Sequence, residues 1–143
     1  MFRTILMTNV FAFAVCLNPT NVQATEDQHH AHFMKCAKAC ADCQLQCDMC
    51  YQHCAALPIQ GDKAHSETMR SCVDCAEVCK LAATLCARQS SFAPGVCEVC
   101  AKVCDQCAAA CEKFPDDKHM AVCAKSCRDC AKACREMLKH LGK

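Results

Sequence analysis

Cysteine dominates the chemistry available to this sequence. The chain has 143 residues, 20 of them cysteines, and six fall between residues 36 and 54 with gaps of 4, 3, 4, 3 and 4. The mean gap matches the 3.6 residues of one α-helical turn, so these thiols share one helix face. Three later runs keep nearly the same spacing. The stripe cysteines of the four runs are Cys36, Cys40, Cys43, Cys47, Cys50, Cys54, Cys72, Cys75, Cys79, Cys86, Cys97, Cys100, Cys104, Cys107, Cys111, Cys123, Cys127, Cys130 and Cys134.

Helix breakers separate the four cysteine runs. They lie at 58–61, 89–94 and 114–117, and the chain otherwise has few glycines (3) and prolines (4). We therefore expect helices near 27–57, 63–89, 94–114 and 117–141. The short connections favour antiparallel neighbours. Because the faces opposite the cysteines are charged, the sequence predicts an all-α, antiparallel up-down-up-down four-helix bundle with a cysteine-lined core.

Three common uses of cysteine fit this pattern poorly. A disulfide framework is typical of short, loop-rich chains, and cysteines one turn apart on a helix hold their Cβ atoms about 5–6 Å apart, which is too far for a disulfide. Structural zinc favours four ligands on knuckles and turns, and each Zn(Cys)₄ site would add negative charge to the core. The C-x₂-C-x₂-C run of iron–sulfur proteins does not occur.

Monovalent copper fits the pattern better. Thiolates are soft ligands that select Cu(I). One Cu⁺ per thiolate is electrically neutral, so many ions can fill a buried core without accumulating charge. The sequence therefore predicts high-capacity Cu(I) storage, with about one ion per core cysteine and roughly 15–20 ions per chain. A delivery protein that holds one or two ions, and a structural or disulfide-bonded helical protein, are the alternatives.

Two segments carry a resemblance to a known family. SerPheAlaProGlyValCysGluValCysAlaLysValCysAspGlnCysAlaAlaAlaCysGluLysPhe (91–114) and CysAlaLysSerCysArgAspCysAlaLysAlaCysArg (123–135) are similar to the bacterial copper storage proteins. The resemblance implies a four-helix bundle whose cysteines hold many Cu(I) ions. It also implies a homo-oligomer and, for exported members, a role outside the cytosol.

Residues 1–24 have the features of a secretory signal peptide. Arg3 precedes an apolar run at 5–17, and Val22-Gln-Ala24 is a small-residue cleavage site. Cleavage would remove Cys16 and leave 25–143 as a copper-binding domain with no membrane-spanning segment. The predicted location is outside the cytosol, in the periplasm.

Histidines and methionines gather at the ends of the predicted bundle. One end collects His53, His65, Met69, His119 and Met120, whose side chains bind Cu(I) more exchangeably than thiolate clusters do. His53, Met69, His119 and Met120 are therefore candidate uptake ligands. His53 also matches a histidine of the exported family members, whereas Leu57 stands where those members have methionine.

The opposite end is predicted to be an apolar plug. Its members are Phe33, Leu81, Leu85, Met137 and Leu141. His29, His30 and His32 precede it, and we expect them to form a frayed, solvated start to the first helix. Tracts of this kind can bind metal.

Other function classes find little support. The formal net charge is +1, and no basic stripe with interleaved aromatic residues suggests nucleic-acid binding. No carboxylate stands beside His53 in the sequence to orient it, so we do not expect an enzyme. The partners expected are copper ions, other copies of the chain and a copper acceptor that the sequence does not identify.

Overall fold

The computed structural model describes residues 19–57 and 63–142. In this part of the chain it contains four helices and no strand, which confirms the all-α prediction. They are α1 (Pro19–Ala56), α2 (Lys63–Ala87), α3 (Ala93–Cys111) and α4 (Lys118–His140). Helix α1 packs on α2 and α4, and α3 packs on the same two helices. This is the predicted bundle of antiparallel neighbours.

The first helix begins earlier than its sequence pattern predicts. It starts at Pro19 rather than near residue 27. Proline suits the first turn of a helix, and no proline or glycine interrupts residues 20–32. Most of the predicted signal peptide, residues 1–18, lies outside the described residues. Among the described helices, none combines the length and hydropathy that crossing a membrane requires.

Backbone hydrogen bonds define how the later helices end and begin. Helix α2 ends in a Schellman motif, with Gln89 in the left-handed region at φ 49° and Ser90 N–H donating to the Leu85 carbonyl at 2.9 Å. Asp117 is the N-cap of helix α4, and its side chain accepts hydrogen bonds from the backbone N–H groups of His119 and Met120. It ends before Gly142, which has a φ of 73°.

The core between the helices consists largely of sulfur and small side chains. Alanines such as Ala82, Ala93, Ala108 and Ala131 are completely buried beside the cysteine stripes. Small residues at these positions let the helices approach closely. Leu138 is the only leucine, isoleucine or valine among the buried residues of the described part of the chain. Sulfur therefore takes the place that branched aliphatic side chains fill in most bundles.

Candidate metal centre

Each cysteine stripe faces the axis of the bundle. All 19 cysteines within the described residues are buried free thiols, and the most exposed of them, Cys54, shows only 4% of its surface. The shortest sulfur–sulfur distance in the thiol contacts is 3.4 Å, between Cys86 and Cys97. A disulfide requires about 2.05 Å. The helical spacing thus produces a column of unpaired thiols.

Within this column the sulfurs form groups of four. The sulfurs of each group all lie within 4.8 Å of one another, although they come from different helices. Five of these groups are Cys40 with Cys100, Cys130 and Cys134; Cys43 with Cys79, Cys104 and Cys130; Cys43 with Cys47, Cys75 and Cys127; Cys47 with Cys107, Cys123 and Cys127; and Cys50 with Cys72, Cys111 and Cys123. Every group is buried, so each can surround an ion that has lost its water.

The four-sulfur groups are not separate sites. Cys43, Cys47, Cys123, Cys127 and Cys130 each belong to two of them. Cys127 lies 3.7 Å from both Cys43 and Cys47, so one sulfur is within reach of two neighbouring ion positions. The geometry therefore suits metal ions that share bridging thiolates.

The column continues toward both ends of the bundle. At the end nearest the start of α3, Cys36 lies 3.8 Å from both Cys97 and Cys134, and Cys97 contacts Cys86. At the other end Cys54 follows Cys50 by one turn. The thiols thus run the length of the bundle.

Neighbouring thiols in the column shift one another's pKa values. The Cys104 thiol, 3.7 Å away, lowers the pKa of Cys75 to about 7. Contact with Cys104 and Cys127 also lowers the pKa of Cys43, whereas Cys100 and its neighbours raise the pKa of Cys130. Some thiolates are thus stabilised by thiols that must keep their protons. The thiols therefore cannot all ionise at once, and metal cations that replace the protons would let all of them act as thiolates.

His53 lies beside Cys54 at the end where α1 and α3 finish. Its Nε2 is 2.7 Å from Asp117 Oδ2, and the side chains of the pair are 23% and 24% exposed. With Nε2–H donating to the carboxylate, the other ring nitrogen, Nδ1, is the one available to a metal. Hydrogen bonding therefore orients a candidate uptake ligand.

The Asp117 contact corrects our expectation that no carboxylate orients His53. The two residues are 64 positions apart, so their contact is visible only in the folded chain. An aspartate at the predicted start of the fourth helix was the available signal, because aspartate at a helix start is a preferred N-cap. Burial opposes ionisation of Asp117, but hydrogen bonds from His53 and from two backbone N–H groups lower its pKa.

The other predicted uptake residues meet around the same end. His119 is exposed and stacks on His53, with ring centroids 4.3 Å apart. Met120 is completely buried, and its Sδ accepts a 3.5 Å hydrogen bond from the Cys50 thiol. Met69 is partly buried against the core. The structure brings these residues together near the last thiols of the column.

A cleft opens next to Cys54. It has a volume of about 890 Å³, and Cys54, Leu57, His65, Met69 and Asp117 are among its lining residues. His65 packs its ring against Phe114, with centroids 4.1 Å apart. We call this end of the bundle the mouth, since there a cleft reaches a thiol of the column.

Apolar side chains close the opposite end of the bundle, as predicted for every member of the plug except Leu81. Phe33 and Met137 are buried, and Leu85 and Leu141 pack against the core. Leu81 was wrongly included, because it is 50% exposed on the outer surface of α2.

Histidines cover the outer side of this apolar layer. The sequence did not predict that arrangement. His32 stacks on His140 with ring centroids 4.0 Å apart, and His29 lies 5.4 Å from His140 and 4.9 Å from Phe33. Burial, together with the charges of His32 and His29, lowers the pKa of His140. His29, His30 and His32 are helical within α1, so the predicted fraying is wrong, whereas the predicted solvation holds for His30, which is exposed.

A helix bundle with an unbroken column of buried thiols and an open cleft at one end belongs to a class of polythiol metal-binding proteins. The family model for copper storage proteins matches residues 28–139. That range contains all the cysteines of the column, so the chain belongs to the copper storage protein family. No curated protein sequence matches the chain significantly.

Solved structures of similar proteins agree with this assignment. The Cu(I)-bound form of BsCsp3, copper storage protein 3 of Bacillus subtilis, is 35% identical, with 72% of this chain and 94% of that chain covered and a TM-score of 0.67. A cytosolic copper storage protein from Streptomyces lividans with five coppers is 29% identical, with 79% and 97% covered and a TM-score of 0.73. The same protein loaded with ten copper equivalents is 28% identical to this chain. The match covers 86% of this chain and 93% of that chain, with a TM-score of 0.71.

Proposed function

We propose that this chain stores Cu(I), with about one ion for each thiol of the column. The observation that carries this proposal is the set of overlapping four-sulfur groups in the core. Soft thiolates prefer Cu(I), and adjacent ions can share a sulfur. The family membership of the chain and the copper-loaded states of its structural relatives support the same function.

Charge sets the expected capacity. The column contains no lysine or arginine that could neutralise thiolates, since Thr68 is the only polar or charged residue among the buried residues described. Each Cu⁺ neutralises one thiolate, so a filled core carries little net charge. We infer a capacity of roughly 15–20 ions for the column, because each Cu⁺ displaces one thiol proton, so filling can continue to about one ion per thiol without changing the charge of the dry interior.

Zinc would use the same sulfurs less well. Tetrahedral Zn(Cys)₄ sites need four sulfurs each, but sulfurs such as Cys43 and Cys130 are shared between groups. Each separate zinc site would also leave two negative charges in the core. The sharing of sulfurs thus favours a continuous Cu(I)–thiolate array.

We propose that copper enters at the mouth. His53 Nδ1 and the exposed His119 ring are placed to receive an ion, and Cys54 and Cys50 stand next along the axis. Met120 contacts Cys50, so a thioether lies beside the first thiols inside. Met69 lines the same cleft as Cys54. Imidazole and thioether ligands exchange Cu(I) more readily than a thiolate cluster does, which suits transfer inward.

A competitive titration tests the storage proposal. Fully reduced protein is titrated with Cu(I) in the presence of a chromophoric Cu(I) chelator, without oxygen. We expect the chelator to remain copper-free until roughly 15–20 equivalents have been added. Saturation at one or two equivalents would indicate a delivery protein, and saturation at four or five would contradict one ion per thiol.

The remaining proposals concern where and how the protein works. Arg3, the apolar run at 5–17 and the cleavage pattern at 22–24 support export to the periplasm with loss of residues 1–24. Mass spectrometry of protein from the periplasmic fraction should find Thr25 at the amino terminus, and a retained leader would contradict cleavage.

We also infer self-association and a binding role without catalysis. Leu45, Leu81 and Val122 are at least half exposed on the outside of the bundle, where they can pack against another copy. Light scattering during gel filtration should therefore give a mass above that of one chain. A single-chain mass at all protein concentrations would oppose this proposal.

A further inference from the structure

The histidines at the closed end of the bundle suggest a site separate from the thiol column. His29 and His32 are one turn apart on α1, so their side chains project from the same face. His140 is the last residue of α4, and its ring meets both of theirs, at 5.4 and 4.0 Å between centroids. Three imidazoles from two helices thus come together within one small volume.

An apolar layer divides this cluster from the sulfur core. The ring of His29 rests on Phe33, which is 3% exposed, and Cys36 follows Phe33 toward the interior. Met137 and Leu138, on the α4 side, are also buried. An ion held by the histidines would therefore stay outside the column rather than pass into it.

The surroundings of the cluster are ordered and suit a cation. Gly142 N–H donates to the Lys139 carbonyl at 3.1 Å, and Leu141 N–H donates to the Met137 and Leu138 carbonyls, so the final turn that carries His140 is held in place. The carboxyl end of a helix carries partial negative charge, which favours a positive ion there. On α1, Gln89 from the α2–α3 connection bonds His30 Nδ1 at 2.8 Å, which fixes the turn that holds His29.

We propose that His29, His32 and His140 form a site for a divalent first-row transition-metal ion. Imidazole nitrogen suits Cu(II), Ni(II) and Zn(II), and Cu(II) is bound most tightly in this series. The ring torsion of histidine is broad, so modest rotation turns one nitrogen of each ring toward a shared ion. Such an ion would also clamp the start of the mature α1 to the end of α4. Cu(I) itself goes to the thiolates, which are softer.

Nickel titration of the copper-filled protein tests this site. Thiols are first saturated with Cu(I), so that the core takes no nickel; failure at this loading step concerns storage and not the histidine site. Ni(II) is then added in a calorimeter. We expect one equivalent to bind in the wild type, and His32→Gln and His140→Gln to weaken this binding by more than about tenfold. His65→Gln, in the mouth cleft and not among the candidate uptake ligands, is the matched control and should retain the equivalent.

A second measurement keeps the test independent of any variant. Zn(II) is added to the same copper-filled wild-type protein, and histidine side-chain nitrogens are followed by NMR. The signals of His29, His32 and His140 should shift together and saturate at one equivalent. The proposal is overturned if no equivalent of Ni(II) binds, if binding survives His140→Gln unchanged, or if zinc shifts only the mouth histidines.

Discussion

Each core cysteine of this bundle packs the interior and, under the proposed function, also binds Cu(I). The thiol is small and weakly polar, so it fills the interior when no metal is bound. The same atom becomes a soft ligand once it loses its proton. This explains how one residue type can replace branched aliphatic side chains over the length of four helices.

Replacing one shared cysteine should separate these two roles. Cys43 lies in two four-sulfur groups, and Cys43→Ser keeps the shape but removes a soft ligand. We expect the Cu(I) capacity to fall by about one ion while the helix content of the metal-free protein stays the same. Chelator titration and circular dichroism measure the two quantities.

The control for this substitution is a residue on the outer face of a helix, away from the thiol column. Val99 is half exposed on α3 beside Cys100, so Val99→Ser should change neither the capacity nor the helix content. If Cys43→Ser instead unfolds the metal-free protein, the claim that the bundle stands without copper is wrong.

Asp117 caps α4 and also contacts His53, the proposed uptake ligand. Asp117→Ala removes the acceptor for two backbone N–H groups and should lower the free energy of unfolding by about 1 kcal/mol. Asp117→Asn should keep most of this stability, since asparagine is also a good N-cap, but it should slow Cu(I) uptake because the carboxylate no longer orients His53. Denaturation midpoints and stopped-flow uptake distinguish the two effects.

The pH dependence of the Asp117 contribution follows from its lowered pKa. A carboxyl group whose pKa is lower in the folded state stabilises the fold above its unfolded pKa, and this contribution is lost as the pH falls through the folded pKa. The stability difference between wild type and Asp117→Ala should therefore be full at neutral pH and shrink in acid. Asp116→Ala, at the exposed neighbouring carboxylate, is the control, and an equal loss there would remove the special role of Asp117.

At the scale of helices, the sequence predicts the architecture well and the ends less well. The cysteine spacing identifies the buried face of each helix because only a 3.6-residue period puts all those thiols on one side. The prediction stopped α3 at 114 and α4 at 141, whereas the helices end at Cys111 and His140. The ends of a helix depend on capping interactions between particular atoms. The 3.6-residue spacing of the cysteines carries no information about these interactions.

Contacts between distant residues could not be predicted in the same way. Two such contacts join α1 to the region of α4: the hydrogen bond of His53 with Asp117 and the ring stacking of His32 on His140. A stripe pattern tells which face points inward, but it does not say which polar side chains meet at the bundle ends. For this reason the thiol column was predicted in full, while the environment of the mouth and the histidine cluster at the closed end needed coordinates.

Phe33 is the main closure of the end opposite the mouth. Its ring is buried where α1 meets the other helices, and Phe33→Ala should lower the free energy of unfolding by about 3–5 kcal/mol because it leaves a cavity. Phe92, 75% exposed, gives a matched control, and Phe92→Ala should change stability by less than about 0.5 kcal/mol. Chemical denaturation of both metal-free variants checks this expectation, and equal effects would mean that Phe33 does not close the core.

At the scale of the whole molecule, the bundle has an open mouth, a closed apolar end and a thiol column between them. Hydrogen bonding and packing of neutral thiols can hold the fold without metal, and Cu(I) binding then adds stability because the filled sites exist only in the folded chain. Ion pairs on the outside, such as Arg128 with Asp105 and Glu112, join α3 to α4 without involving the core.

The most direct test is a crystal structure of the Cu(I)-saturated protein with anomalous scattering measured at the copper edge. Copper peaks should form a continuous line between the four helices, from the Cys36 end to Cys54, with individual sulfurs bridging neighbouring ions. Peaks restricted to the outer surface, or a few isolated tetrahedral sites separated by protonated thiols, would contradict storage in a shared thiolate core.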